Sequence, residues 1–463
     1  MTPADQPGKP PSSGLYVTVR PNDLVSLPYI PCPKCGQETF GIICIASHQY
    51  SRRCRNCLYP THPERHEATP LPRLDKKVIY LDQFVISNMM FALNSATEQH
   101  GRSPHDAFFR EIFARLDLLG KKQLVVCPSS EFHDSESLTS RCFEPLKRMY
   151  ELLGYGVRWD DTDSVRTCLI MEAFRRWEAG ESPEKSEFTK DNFLYGDRTG
   201  WSDHFYVSSQ TRWEASLVEE IRQTREAVAE ELHTVFEQWQ GDQDKTFNDW
   251  VREETRGAAK KYVRGLFQQA HEMVTAQAEI ISTQQVSLSA AAAFLPTHEA
   301  GVMMRFRDAL MEKGCGEGEW LPKAWEFLQS EHFTGLPFVK IGSMIWATVA
   351  DRAAHHGQKR LPTKGFHNDV RFIETFLPYC DAMFLDKEMH GILDDRYMRG
   401  ALTECGTRIY SLRNKKEFLE YLEEIGSCAS PEHVNLLNEV YGARYLKPYV
   451  GLYGDVAGKD ADD

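Results

Sequence analysis

The chain predicts an α/β fold, a parallel sheet flanked by helices, interrupted by a large helical insertion and preceded by a small cysteine module. Three observations carry this. Short apolar runs that end at an acid or a proline alternate with amphipathic helical stretches, the pattern of strand–helix–strand units. Between two such regions, residues 151–336 keep a helical rhythm, with Glu219, Glu220, Arg222, Arg225 and Glu226 set among Leu217, Ile221 and Val228. Ahead of both stand two Cys-x-x-Cys pairs.

Taken in order, residues 1–30 are rich in Pro, Ser and Gly and read as a loose lead-in. Residues 31–75 hold the cysteine module and a proline-rich linker, Pro60–Asp75. The first part of the α/β body is 76–150: a buried strand Lys76–Asp82, helices near Ser87–Glu98 and Pro104–Leu119, and a strand Gln123–Cys127 stopped by Pro128. The insertion, 151–336, is expected to be almost wholly helical, a lid or a platform for a protein partner. Its Trp201, Trp213, Trp239 and Trp250 read as core anchors. The second part of the body is 337–450, with a helix Asp369–Leu377 closed by Pro378, strands Ala382–Asp386 and Thr407–Ser411, and a helix Lys415–Ile425. Residues 451–463 form an acidic tail.

A length of 463 residues supports two or three domains. The net charge of −13 argues against a protein that coats nucleic acid through bulk charge, so any such contact must be local. The longest apolar run, around Leu288–Leu295, falls far short of the roughly 20 residues of a membrane helix. The N-terminus lacks the basic start and apolar stretch of a signal peptide, and most of the twelve cysteines are scattered singly. A cytoplasmic location is expected.

Cys32-x-x-Cys35 and Cys54-x-x-Cys57 have zinc-ribbon spacing. Each knuckle offers two thiolates to one tetrahedral ion, and four closed ligands mean a structural rather than a catalytic Zn²⁺. Gly36 permits the tight turn after the first knuckle. Cys44 is expected to pack inward with Ile42, Ile43 and Ile45. Arg52, Arg53 and Arg55 crowd the second knuckle between Tyr50 and Tyr59, either a phosphate-holding, base-stacking edge or a solvated docking surface.

The body also carries acids in a suggestive order: Asp82 ending a strand, Glu131 and Asp369 beginning helices, and Asp386 ending a strand. Carboxyl ends of parallel strands form the ligand crevice of such sheets. Clustered carboxylates suit hard divalent ions, Mg²⁺ or Mn²⁺. Each acid has a structural alternative: an Asx turn for Asp82, a helix-dipole partner for Glu131, an N-cap for Asp369 and an ion pair for Asp386. His133–Glu136 and the pair His355-His356 are weaker metal candidates. The chain has no P-loop, Rossmann turn, H-E-x-x-H helix or G-x-S-x-G elbow.

Lys77–Ser87 resembles the first strand and turn of a PIN domain, Cys127–Phe132 its second motif, Asn368–Glu374 its third and Asp381–Lys387 its last. The resemblance implies a Mg²⁺- or Mn²⁺-dependent nuclease, mostly acting on RNA, with DNA also open. It implies Asp82, Glu131 and Asp369 as core metal ligands, Asp386 completing the site, and Asp381 as a lesser candidate. Gln83 departs from the small hydroxyl residue many members carry after the first Asp, a role Ser87 would then take. The insertion is longer than a plain PIN domain carries. The rival readings are a non-catalytic zinc-ribbon adaptor on a degenerate PIN scaffold, and a phosphohydrolase of small substrates.

Overall fold

The computed structural model describes residues 21–61, 68–93, 104–138, 140, 142–183, 187–203, 215–358 and 365–446. Most of the lead-in, Trp213 and the acidic tail lie outside them. Two units separate after Leu74: Met1–Leu74 with Thr199–Ser209 and Ala429–Lys447, and Asp75–Arg198 with Gln210–Cys428 and Pro448–Asp463.

In the first unit, β1 (Ser26–Pro31), β2 (Glu38–Ala46), β3 (Gln49–Cys54) and β4 (Thr69–Pro70) form an antiparallel sheet in that order. A helix Pro431–Tyr441, with Pro431 in its first turn and Ser430 capping the N–H of His433, belongs to this unit. Ile42, Ile45, Tyr50, Leu71, Trp201, Leu437, Val440 and Tyr441 make its core. Trp201 donates its indole N–H to Pro72 O at 2.9 Å, so this tryptophan anchors the cysteine unit rather than the insertion. A register shift between Ile42 and Cys44 corrects one expectation. The irregularity breaks the inward–outward alternation and leaves Cys44 exposed instead of packed.

The second unit contains β5 (Lys77–Leu81), β6 (Val125–Val126), β7 (Arg158–Trp159), β8 (Leu194–Tyr195), β9 (Ala382–Phe384) and β10 (Arg408–Tyr410). Four of these make a parallel sheet in the order β6-β5-β9-β10. Its faces can be read from β5 alone: Val78 and Tyr80 join one core, Ile79 and Leu81 the other. A strand covered on both faces is apolar without alternation, as β5 is from Val78 to Leu81. Helices α1 (Gln83–Leu93), α2 (Asp106–Lys121) and α4 (Phe143–Gly154) cover one face, after the short α3 (Glu131–Leu138). On the other lie α5 (Thr162–Glu178) and the helices of Pro337–His355 and Phe366–Phe376, whereas the later helix Lys415–Ser427 returns to the first face.

The insertion carries α6 (Ala215–Gly241), α7 (Phe247–Thr283), α8 (Leu288–Ala292), α9 (His298–Glu312), α10 (Trp320–Gln329) and α11 (Glu331–Thr334). It is not wholly helical, because β7 and β8 pair antiparallel within it. Trp239 lies between Trp250 and Trp346, at 6.4 and 6.3 Å between ring centroids, and fastens α6 and α7 to α12 (Pro337–His355). Then come α13 (Phe366–Phe376), α14 (Lys387–Leu393), α15 (Arg399–Cys405) and α16 (Lys415–Ser427). No helix among the described residues is long and apolar enough to cross a membrane.

Candidate functional site

The four knuckle cysteines converge, with sulfur atoms all within 4.8 Å of one another. Each knuckle closes the same way: the N–H of Gly36 returns to Cys32 O at 2.8 Å, that of Leu58 to Cys54 O at 3.1 Å. Gly36 and Leu58 both take a positive φ, +72° and +61°. The contacts Cys32–Cys57 at 3.6 Å and Cys35–Cys54 at 3.7 Å are too long for a disulfide, whose bond is about 2.05 Å. They match the edge of about 3.8 Å that a tetrahedron with 2.3 Å metal–sulfur bonds requires. Burial opposes the Cys54 thiolate, yet the N–H groups of Cys57 and Asn56 and the Thr39 hydroxyl bring its pKa down to about 6. Cys57 is pushed up to about 12 by burial and the neighbouring thiols, against the N–H of Tyr59. Thiols that resist sharing negative charge are what a bound cation would reconcile. This group could hold a metal ion.

The basic edge beside it is largely committed to the fold. Arg52 donates to Pro28 O at 2.7 Å, Phe40 O at 3.3 Å and Glu439 O at 3.0 Å. Three of its hydrogen bonds thus go to backbone carbonyls. Arg53 keeps a buried Nε without a partner, and Arg55 donates to Tyr29 Oη at 3.0 Å.

A second set of ionisable groups gathers at the carboxyl end of the parallel sheet. Asp82 follows β5 and Asp386 follows β9, where the strand order turns back on itself, the crevice in which open α/β sheets bind ligands. The Asp82 N–H donates to Phe384 O at 3.0 Å, and its Oδ1 accepts the N–H of Phe84 at 3.0 Å. Burial pushes the Asp82 pKa up to about 7; the N–H of Phe84 resists, and the charges of Asp386 and Glu136 add to the rise. Asp369, in the first turn of α13, is held well above the usual carboxylate range by burial and by Asp82, Glu136, Asp386 and Glu388. A Cβ at Gly365 would sit 3.8 Å from Glu136 Oε1 and 3.9 Å from Asp369 Oδ2, so these carboxylates border one space. Asp386 Oδ1 also caps α14, accepting the N–H of Met389 at 2.7 Å.

Glu131 is not among them. Its Oε1 accepts the N–H of Thr162 at 3.2 Å, at the start of α5 beside Asp161. Five residues along a helix at 100° per residue place Glu131 and Glu136 about 140° apart, so only one can face Asp82. Glu136 takes that place. The signal was present in His133–Glu136, but helical phase could not be assigned without the true start of α3. His133 in the same helix is buried, its pKa lowered to about 4 by desolvation. Its Nε2 lies 2.9 Å from Leu81 O and its Nδ1 accepts the N–H of Ser130 at 3.1 Å, so the neutral ring with hydrogen on Nε2 joins α3 to the end of β5. Gln83 donates to Ser137 Oγ at 3.3 Å, a second tie between the same segments.

The acids are spread more widely than the thiols. Among the described residues only the four cysteines bring three or more ligand atoms within 4.8 Å of one another. Asp381 stands at the other end of the sheet, paired with Lys190 at 2.6 Å and Lys77 at 3.3 Å. A cavity of about 830 Å³ opens there, remote from Asp82 in sheet topology and lined by these residues with Tyr379 and Arg408. His355 Nδ1 and His356 Nε2 lie 3.0 and 3.3 Å from the carboxylate of the buried Asp351. No protein-family model matches this chain, and neither a curated protein nor a solved structure matches it.

Proposed function

We propose that this chain is a PIN-like, metal-dependent nuclease that hydrolyses phosphodiester bonds of RNA, with single-stranded DNA as a second substrate, and that its cysteine module holds one structural Zn²⁺. The observation that carries the catalytic reading is the position of Asp82 and Asp386 at the switch point of a parallel sheet, with Glu136 and Asp369 bordering one space nearby and Asp82 pushed up to about 7. Oxygen-only donors that raise one another's pKa fit Mg²⁺ or Mn²⁺. Their wide spacing suits carboxylates acting partly through bound water. When bound, such ions supply a water of lowered pKa and offset charge on the phosphate.

The protein's own part is placement. Phe84 N–H orients the Asp82 carboxylate, Met389 N–H orients that of Asp386, and His133 ties α3 to the end of β5. Asp82 must shed its proton before it can hold a cation, so activity should rise as pH climbs through neutrality. Labelled RNA and single-stranded DNA, incubated with Mn²⁺ and then with chelator, test the reading. Loss of strand that needs the metal and disappears in Asp82→Asn supports it; cleavage that survives either change overturns it.

The spacing of the acids favours a second reading, a zinc-ribbon adaptor on a scaffold that has lost catalysis. Intact strands under every metal condition would select it.

A further inference from the structure

Helix α7 buries Trp250, Ala259, Tyr262, Gln269 and Ala276, the side it turns toward α9 and α12. On the opposite side Arg256, Lys260 and Arg264 are exposed, one helical turn apart. At 1.5 Å per residue each step is about 6 Å, so the three cations form a ridge about 12 Å long. None of them makes an ion pair or hydrogen bond among the described residues. Their neighbours differ: Lys261 holds Glu299 at 2.7 Å, Arg252 holds Asp249, and Lys245 holds Glu253 at 2.8 Å. In a chain of net charge −13, these three cations on one face form no ion pair among the described residues, and Glu253, three positions before Arg256, is taken by Lys245. Directly in line, one turn past Arg264, Phe267 is 59% exposed.

Unpaired cations at a regular interval, ending at an exposed ring, match the two demands of a single nucleic-acid strand: a positive track for phosphates and a flat apolar face for a base. We infer that the ridge Arg256–Lys260–Arg264, closed by Phe267, is a docking track for single-stranded nucleic acid. The choice of a nucleic-acid strand rests on the nuclease reading. The track lies on the helical layer that backs the site: α7 packs on α12, α12 on α13, and α13 carries Asp369. The insertion then contributes affinity for the strand rather than a second reaction.

The test measures fluorescence anisotropy of a short labelled poly-U strand with the full chain in chelator, so that cleavage cannot intervene. R256E/K260E/R264E should weaken binding at least about tenfold near 0.1 M salt and reduce the log–log salt slope by about 2. Phe267→Ala should weaken it about fivefold or more. Lysine acylation with and without the strand gives a readout free of any substitution, with Lys260 protected by bound poly-U. Equal affinity and salt slope in the triple variant, an unprotected Lys260, or a wild type that binds no strand would each overturn the track. A wild type that binds through the ridge yet never cleaves with Mn²⁺ removes the nuclease reading and leaves the track standing.

Discussion

The cysteine centre and the acid crevice gather four ionisable groups each, by opposite routes. The cysteines lie within 26 consecutive residues, and two tight turns with a short sheet bring their sulfurs within 4.8 Å. The acids Asp82, Glu136, Asp369 and Asp386 come from segments some 300 residues apart, aligned by strand order and helix packing, and their oxygens stay further apart. A site made by local backbone geometry is compact and depends on its ion for stability. A site made by tertiary packing is buttressed by the fold, and its mutual repulsion is borne by the sheet beneath it. The difference sets what should break each one.

The largest effect is expected at the thiols. Cys54→Ser should abolish tight zinc binding, measured as a fall from about one zinc per chain to none by elemental analysis. Since structural zinc supplies an apparent 10–16 kcal/mol in small modules, about that scale of local stability is at stake. Hydrogen exchange should show β2 and β3 unprotected while β5 and β9 stay protected. Equal loss in both sheets would show that the acid-bearing fold also leans on the ion.

At the acids the effect should fall on turnover. Asp82→Asn and Glu136→Gln should each reduce RNA cleavage by about 10²-fold or more, a loss comparable to removing one preorganised transition-state contact. Cleavage assays with both variants decide whether the crevice acts as a unit; a fully active Glu136→Gln would break it.

Without metal, Asp82→Asn should stabilise the protein, in a pH-dependent way. The Asp82 pKa is raised from 3.8 to about 7, so between those values the folded chain binds the extra proton and the stability contribution of Asp82 falls as pH rises. The advantage of Asn should therefore be absent near pH 4, grow through pH 7, and reach at most on the order of 4 kcal/mol. His133, lowered from 6.5 to about 4, slopes the other way, gaining stability as pH rises over that window. Thermal midpoints of both chains in chelator at several pH values measure the difference, in which the His133 contribution cancels. A constant offset would contradict the burial of Asp82.

The smallest change belongs to Glu131→Gln. It should keep cleavage within about twofold and cost about 1 kcal/mol through its weakened bond to the Thr162 N–H. A large loss of turnover would return Glu131 to the site and undo the assignment of Glu136.

From sequence alone, the zinc-type spacing of Cys32, Cys35, Cys54 and Cys57 was legible because four ligands on two turns need nothing distant to converge. The parallel strands around Val78–Leu81 and Ala382–Phe384 were legible because burial on both faces makes them apolar without alternation. Tertiary structure alone decided the rest. It set Glu131 against the Thr162 N–H and Glu136 near Asp82 and Asp369, since helical phase depends on where α3 begins. It spent Arg52 on the carbonyls of Pro28, Phe40 and Glu439, the last lying 387 residues along the chain. It drew Trp201 into the core of the cysteine unit with Leu437 and Val440. Local spacing reports only what one stretch of backbone can do by itself; which side chain faces which is set by packing between segments that carry no record of each other in their order.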